Sequence, residues 1–150
     1  MPAEAWRGHA VDAGLLPMTA TLAMVVVELE AIDEARLVLE GMEPFWSRWA
    51  AWGGLGTLGP APLAIARLRA LLGDAEGAEE AFAESIARCR ASESPFFLAD
   101  SLLYLGPTRA ARGDSGAAVT APVQEAVQVA RERGYGTVLR RGEAALSTAS

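Results

Sequence analysis

Lysine is missing from this 150-residue chain, and cysteine and histidine occur once each, as Cys89 and His9. A single cysteine cannot form an internal disulfide, and the phosphate-binding motif G-x-x-x-x-G-K-[ST] cannot occur without lysine. One cysteine and one histidine do not make a zinc site without carboxylates, and nothing in the sequence brings the two together as nucleophile and base. We therefore predict no metal, no catalytic residue and no enzymatic activity.

Positive charge and long apolar runs are also scarce. The 13 arginines face 19 aspartates and glutamates, so the formal net charge is -6 and a phosphate backbone would be repelled on average. Residues 13–27 are too few to span a membrane, and residues 49–66 are interrupted by glycines and prolines. We expect no leader peptide, because no charged-then-apolar segment with a cleavage site is recognisable before the first predicted helix. We expect a cytoplasmic protein without a direct nucleic-acid or membrane partner.

Strand-forming residues are thin outside residues 25–27, whereas alanine is abundant, so helix is the favoured state. We predict one all-α domain of about seven or eight helices, with a loosely ordered segment at 1–14 and a glycine-rich connection at 53–60. Periodicity and turn residues place helices at about 18–30, 33–41, 60–72, 75–91 and 95–112. A further helix ends at about residue 133, and the last covers about 137–146. Pro107 is expected to kink or end its helix early.

Two apolar patterns have helical spacing. Leu22, Val25, Val26 and Leu29 form one apolar stripe on the first predicted helix. After Pro44, four aromatic residues recur at spacings of three and four and predict a short aromatic helix. These aromatic residues are Phe45, Trp46, Trp49 and Trp52.

The most informative feature is an internal repeat. Laying Gly73-Asp74 on Gly113-Asp114 sets an offset of 40 residues, and other small, large and turn positions then agree. Matching pairs include Arg69 with Arg109, Ile65 with Leu105, and Ala78 with Ala118. A weaker copy lies at residues 30–39, where Glu30 replaces the turn glycine. Three successive helical hairpins predict an α-solenoid.

Within "ARLRALLGDAEGAEEAF", four residues have the spacing of the tetratricopeptide pattern: Ala66, Gly73, Ala78 and Phe82. Arg69 stands at the usual aromatic position, Pro122 replaces the second phenylalanine, and the period is nearer 40 than 34. With these departures the chain resembles the degenerate tetratricopeptide-like C-terminal region of bacterial signal-transduction regulators. Those are the ATPase-containing LuxR-type activators and the regulators with a nucleotide cyclase domain.

The resemblance covers about residues 22–146 and includes a glycine-containing loop that ends in Gly59-Pro60. It implies a non-enzymatic module for protein interaction or effector sensing in transcriptional or signal regulation. The resemblance implies that ATP, cyclase and DNA-binding sites lie in other domains, and we expect no cofactor here.

"GLGTLG", from Gly54 to Gly59, matches the dinucleotide-binding motif G-x-G-x-x-G. That motif needs a preceding strand and a helix that starts within the glycines. The preceding "SRWAAW" is not strand-like, and Pro60 and Pro62 lack the N–H donors that a phosphate would need. We interpret the motif as a connection between helices.

The tryptophan cluster Trp46, Trp49 and Trp52 is the most ambiguous candidate site, because aromatic residues at helical spacing form either a core or a binding surface. If the cluster is exposed, Arg67 and Arg69 could bind an acidic peptide beside it. The alternative is a small-ligand sensor with a pocket around Trp46 and Trp49. A truncated solenoid would also expose an apolar end face, through which the chain could form a homodimer.

Overall fold

The computed structural model describes residues 15–52 and 55–148. The predictions made for residues 1–14, for His9, and for Gly53 and Gly54 lie outside these ranges. The described residues contain seven α-helices and one two-stranded antiparallel sheet, which confirms the predicted all-α class. They form two compact units, Met1–Asp74 and Ala75–Ser150, and each is described separately below.

In the described part of the first unit, residues 15–52 and 55–74, there are three α-helices, one 3-10 turn and the sheet. In chain order these are α1 Leu15–Glu28, α2 Ile32–Met42, the turn Glu43–Phe45, β1 Trp49–Ala51, β2 Thr57–Pro60 and α3 Ala61–Leu71. The three helices pack against one another, and both strands contact α1. Small residues dominate their contacts: Ala23, Ala35 and Ala66 are almost completely buried beside the larger Met42 and Ile65. Alanine permits this close approach of helix backbones.

The second unit is a row of four helices. They are α4 Ala75–Ala91, α5 Pro95–Arg112, α6 Ala117–Arg133 and α7 Gly136–Thr148. Each helix packs against the next, and α5 also contacts α7. Phe82 and Ala126 are fully buried, and Pro122, which occupies the repeat position of Phe82, is buried too. The bounds predicted for α4 and α5 are confirmed.

Five helix ends use the same turn, in which one residue takes a left-handed conformation. The N–H of the next residue then donates to the carbonyl five residues back at 2.9–3.1 Å, which is the Schellman arrangement. The left-handed residues are Glu30, Gly73, Glu93, Gly113 and Gly134. The 40-residue offset therefore holds for the Gly73 and Gly113 turns, and Glu30 occupies the equivalent position in the weaker copy. The solenoid arrangement stays a prediction.

The repeat does not extend evenly into the helices. Ala78 is fully buried, whereas its predicted counterpart Ala118 is exposed. The reason is that α6 begins at Ala117, two residues later relative to its turn than α4 does. The first turn of α6 is therefore out of register with the first turn of α4.

Pro107 does not end its helix early, so that part of the prediction is wrong, and the alternative, a kink, stays a prediction. Helix α5 continues through the exposed Pro107 to Arg112. An interior proline costs about 3 kcal/mol, because one backbone hydrogen bond is lost and the ring crowds the preceding turn. Buried residues on both sides of it, Leu105 and Thr108 among them, supply the packing that offsets this cost.

The predicted aromatic helix is wrong. Only the 3-10 turn at Glu43–Phe45 is helical, and the chain then forms an antiparallel hairpin, with Trp49 opposite Pro60 and Ala51 opposite Thr57. The three-and-four spacing of aromatic residues favoured a helix. The competing signal was the pair of adjacent glycines, which is typical of a chain reversal between two strands.

The apolar stripe predicted on the first helix is divided between two faces. Val26 is buried, whereas Leu22, Val25 and Leu29 are exposed. The buried side of α1 consists of smaller residues: Pro17, Thr19, Ala20, Ala23 and Val26. Close packing of α1 against α2 and α3 selects small side chains for the interior and leaves the large ones outside.

Candidate protein-binding surface

The end of the β-hairpin presents two large apolar side chains to solvent. Trp52 is 40% exposed and Leu55 is 95% exposed. Their positions follow from two backbone hydrogen bonds: the Trp52 N–H donates to the Gly56 carbonyl at 2.9 Å, and the Leu55 N–H donates to the Trp52 carbonyl at 2.7 Å. We call Trp52 and Leu55 the apex surface.

Hydrogen bonds fix the base of the hairpin to the first unit. The Thr57 hydroxyl donates to the Ala50 carbonyl at 3.0 Å and accepts from the Gly59 N–H at 3.0 Å. The Ala61 N–H, at the start of α3, donates to the Arg48 carbonyl at 2.9 Å. Ala50 itself is fully buried. The apex surface is therefore carried on an anchored hairpin.

The structure brings together two of the four predicted site residues, Trp46 and Arg69. The Arg69 guanidinium lies 5.5 Å from the centre of the Trp46 ring, a cation–π contact. Its Nη2 also lies 3.3 Å from the Glu43 Oε1, and the arginine side chain is only 18% exposed. The positive charge of Arg69 is therefore already paired with Glu43, and one face of the Trp46 ring is already covered by Arg69. Trp46 and Trp49 are half-buried, so the cluster is neither fully core nor fully exposed.

Arg67 and Arg69 do not share a groove. Both are half-buried on α3, but residues two apart on an α-helix project about 200° apart. An acidic peptide would also have to displace Glu43 in order to pair with Arg69. The pair is therefore a weaker candidate for partner contact than the apex surface.

The glycine motif lies in the hairpin. A strand does precede it, at Trp49–Ala51, so the interpretation of "SRWAAW" as unlike a strand was wrong. The partner strand Thr57–Pro60 is antiparallel, however; it contains Gly59 and separates Gly56 from the start of α3. A dinucleotide site needs the glycines to lead directly into a helix N-terminus beside a parallel strand. This geometry lacks that arrangement.

Cys89 lies in a small polar chain inside the second unit. Ser85 and Ser101 are fully buried with their hydroxyl oxygens 2.8 Å apart, and the Ser101 hydroxyl donates to the Phe97 carbonyl at 2.7 Å. Cys89 is 1% exposed, and burial raises the pKa of its thiol, although the hydrogen bond with Ser85 opposes this. A nucleophilic cysteine needs a lowered pKa and access to substrate.

Glu79 is the residue whose role the sequence did not reveal. Glu84, on the same helix, makes a local ion pair with Arg88 at 2.6 Å. Glu79 instead binds arginines some 30 residues away: its Oε1 accepts from the Arg109 Nε at 2.9 Å, and its Oε2 pairs with Arg112. The available signal was the repeat, because Arg69 and Arg109 are equivalent and each pairs with a glutamate from an earlier element.

Residues 15–52 and 55–148 contain neither a group of side chains for a metal ion nor a helix that could cross a membrane. In these ranges no three histidine, cysteine, aspartate or glutamate side chains are grouped so that they could hold a metal ion. None of the helices in these ranges is both long and apolar enough to cross a membrane. Comparison with known proteins found no family model, no curated protein and no solved structure that matches the chain.

Proposed function

We propose that the chain is a non-enzymatic helical module that binds a protein partner through the apex surface. The observation that carries the proposal is the exposure of Trp52 and Leu55 at the end of an anchored hairpin. Tryptophan is enriched among the residues that dominate binding energy at protein interfaces. Exposed leucines are ordinary, but Leu55 lies only three residues from the exposed Trp52 at the same end of the hairpin.

The energetics favour a protein partner. Burying a leucine side chain contributes about 1.5–3 kcal/mol, and a tryptophan buries a larger area. The hairpin is held by the Thr57 and Ala61 hydrogen bonds, so less conformational entropy is lost on binding than with a free loop. Half-buried Trp49 begins the first strand of the hairpin, and half-buried Trp46 lies three residues before it.

The proposed setting comes from the sequence resemblance. The chain resembles the tetratricopeptide-like region of bacterial signal-transduction regulators, so we propose a cytoplasmic role in signal or transcriptional regulation. The resemblance supports an array of helical hairpins as the architecture, and the five equivalent turns agree with it. A binding module of this kind needs no cofactor and no catalytic group.

Quantitative affinity capture from a lysate of the source organism tests the proposal. The baits are the wild type, the double variant Trp52→Ala/Leu55→Ser and the control Leu37→Ser. Leu37 is 53% exposed on α2, so the control removes exposed apolar surface elsewhere in the first unit. Circular dichroism confirms that all baits are folded.

We expect one or more proteins that the wild type and Leu37→Ser retain and the double variant loses. Direct titration of the purified partner should then show a loss of affinity of about tenfold or more, which corresponds to about 1.4 kcal/mol. Equal recovery on all three baits would contradict the proposal. A saturable change of tryptophan fluorescence with a metabolite, and no protein that distinguishes the baits, would favour the small-ligand alternative instead.

A further inference from the structure

Helix α1 carries a row of large apolar side chains on its outer face, which we call the α1 stripe. It consists of Met18, Leu22, Val25 and Leu29, which are 60%, 45%, 48% and 72% exposed. Leu29 follows the last helical residue, but its N–H still donates to the Val25 carbonyl at 3.0 Å, so it continues the helical row.

The spacing of the α1 stripe is four, three and four residues. At about 100° per residue these four side chains fall within a sector about 60° wide. Alternation of three and four residues is the a/d pattern by which one helix packs lengthwise on another. The stripe therefore has the form of a helix-packing seam, although its side chains stay largely exposed among the described residues.

We propose that the α1 stripe pairs with the α1 stripe of a second copy of the chain, in antiparallel orientation. The spacing reads the same in both directions, so a two-fold axis between residues 23 and 24 places Met18 opposite Leu29 and Leu22 opposite Val25. A two-fold interface requires this kind of self-complementary surface. Every large apolar side chain then meets another.

The distribution of charge favours the antiparallel orientation over the parallel one. Residues 15–27 carry no charge, and the first carboxylates that follow them are Glu28 and Glu30. A parallel pair would bring these carboxylates of the two copies together. An antiparallel pair places them beside the N-terminal end of the partner's α1, where the helix dipole is positive.

The size of the seam predicts a weak dimer. A helix of 14 residues is about 21 Å long, and one such helix pair buries less than the roughly 800 Å² per partner of a standard interface. The net charge of -6 on each copy opposes association and is screened by salt. We expect a dissociation constant of about 10–100 μM that decreases as ionic strength rises.

Sedimentation equilibrium of the full chain tests this, from about 5 to 500 μM protein at low and high salt. We expect the wild type to dimerise within this range and Leu22→Glu to stay monomeric. Met24→Glu is the matched control, because Met24 is 45% exposed on the same helix but projects about 130° from the centre of the stripe. It should dimerise like the wild type.

The pairing itself is tested by mixing two monomeric variants. Leu22→Glu and Val25→Arg should each be monomeric alone. In a dimer of either variant, each new charge would be buried against an uncharged side chain of the other copy, with no opposite charge beside it. Mixed, they should form a heterodimer, since the antiparallel register sets Glu at 22 against Arg at 25. This design keeps each test independent of the apex surface, and Trp52→Ala/Leu55→Ser should still dimerise.

A wild type that is monomeric at all concentrations would overturn the proposal. So would a dimer that Leu22→Glu leaves intact while Met24→Glu disrupts it, since another face would then be the interface. A dimer that Leu22→Glu abolishes but that the mixture does not restore would overturn the antiparallel register. None of these results bears on the partner captured through the apex surface.

Discussion

At the scale of single residues, Glu30 and Glu93 occupy positions that favour glycine. Their φ angles are 52° and 51°, against 82° and 101° for the equivalent Gly73 and Gly113. A residue with a Cβ atom is strained in this left-handed region, whereas glycine is not. Two of the five equivalent turns therefore retain local strain that the rest of the hairpin must offset.

Replacing Glu30 by glycine should stabilise the protein. We expect Glu30→Gly to raise the free energy of unfolding by about 0.5–1 kcal/mol, after the greater freedom of glycine in the unfolded chain is subtracted. Urea denaturation followed by circular dichroism measures the change. Gly113→Ala is the opposite control: no atom lies within 4 Å of the added Cβ, so its expected loss comes from the backbone alone. A less stable Glu30→Gly would show that the left-handed turn at residue 30 is wrong.

The Glu30 turn also shows what the sequence could predict. The repeat placed Glu30 opposite the turn glycine from spacing alone, and the structure gives it the same conformation. The exposure of Trp52 could not be predicted in this way, because burial depends on which element the residue belongs to. Likewise the pairing of Glu79 with Arg109 and Arg112 depends on the packing of α4 against α5.

At the scale of elements, two glycines allow helices of the second unit to pack closely. A Cβ atom on Gly106 of α5 would lie 2.5 Å from the Val123 Cγ2 and 2.6 Å from the Val119 carbonyl oxygen of α6. A Cβ atom on Gly142 of α7 would lie 2.5 Å from the Val127 Cγ2, and the next nearest atoms, on the side chains of Leu103 and Val127, would lie 3.8 Å away. At Gly106 the added Cβ would clash with a backbone oxygen, which cannot move without moving its helix. At Gly142 it would clash with the Val127 side chain, which can rotate away.

Alanine substitution at these two sites should therefore differ in effect. Both changes gain about 1 kcal/mol of helix propensity, so the difference between them reports the packing. We expect Gly106→Ala to lose about 1–3 kcal/mol net, because α5 and α6 must move apart, and Gly142→Ala to lose less. Thermal and urea unfolding measure both. Equal losses, or a greater loss at Gly142, would contradict the close crossing of α5 and α6.

The elements differ in how well the sequence predicted them. Helices α4 and α5 were predicted with their observed bounds, because turn residues bracket them and their apolar residues recur at helical spacing. The hairpin was missed, because three-residue and four-residue strands are too short to show alternation against a helical aromatic pattern. Trp49 was thus assigned to a helix, although it begins strand β1.

At the scale of the whole molecule, the sequence predicted the all-α class and the recurring hairpin turns. It did not predict the division at Asp74 and Ala75, which falls between the two helices of its most regular hairpin. Local spacing fixes where helices begin and end, but compact units depend on contacts far apart in sequence. For the same reason the sequence did not predict that the large residues of the apolar stripe on α1 are exposed.

Photocrosslinking in cells of the source organism tests the central claim most directly. A photoreactive residue replaces Leu55 in one variant and Leu37 in another, since both leucines are exposed. We expect one protein partner to be crosslinked at position 55 and not at position 37. We also expect Trp52→Ala to abolish the crosslink. Absence of a specific crosslink at position 55, or the same products at both positions, would contradict a partner-binding role for the apex surface.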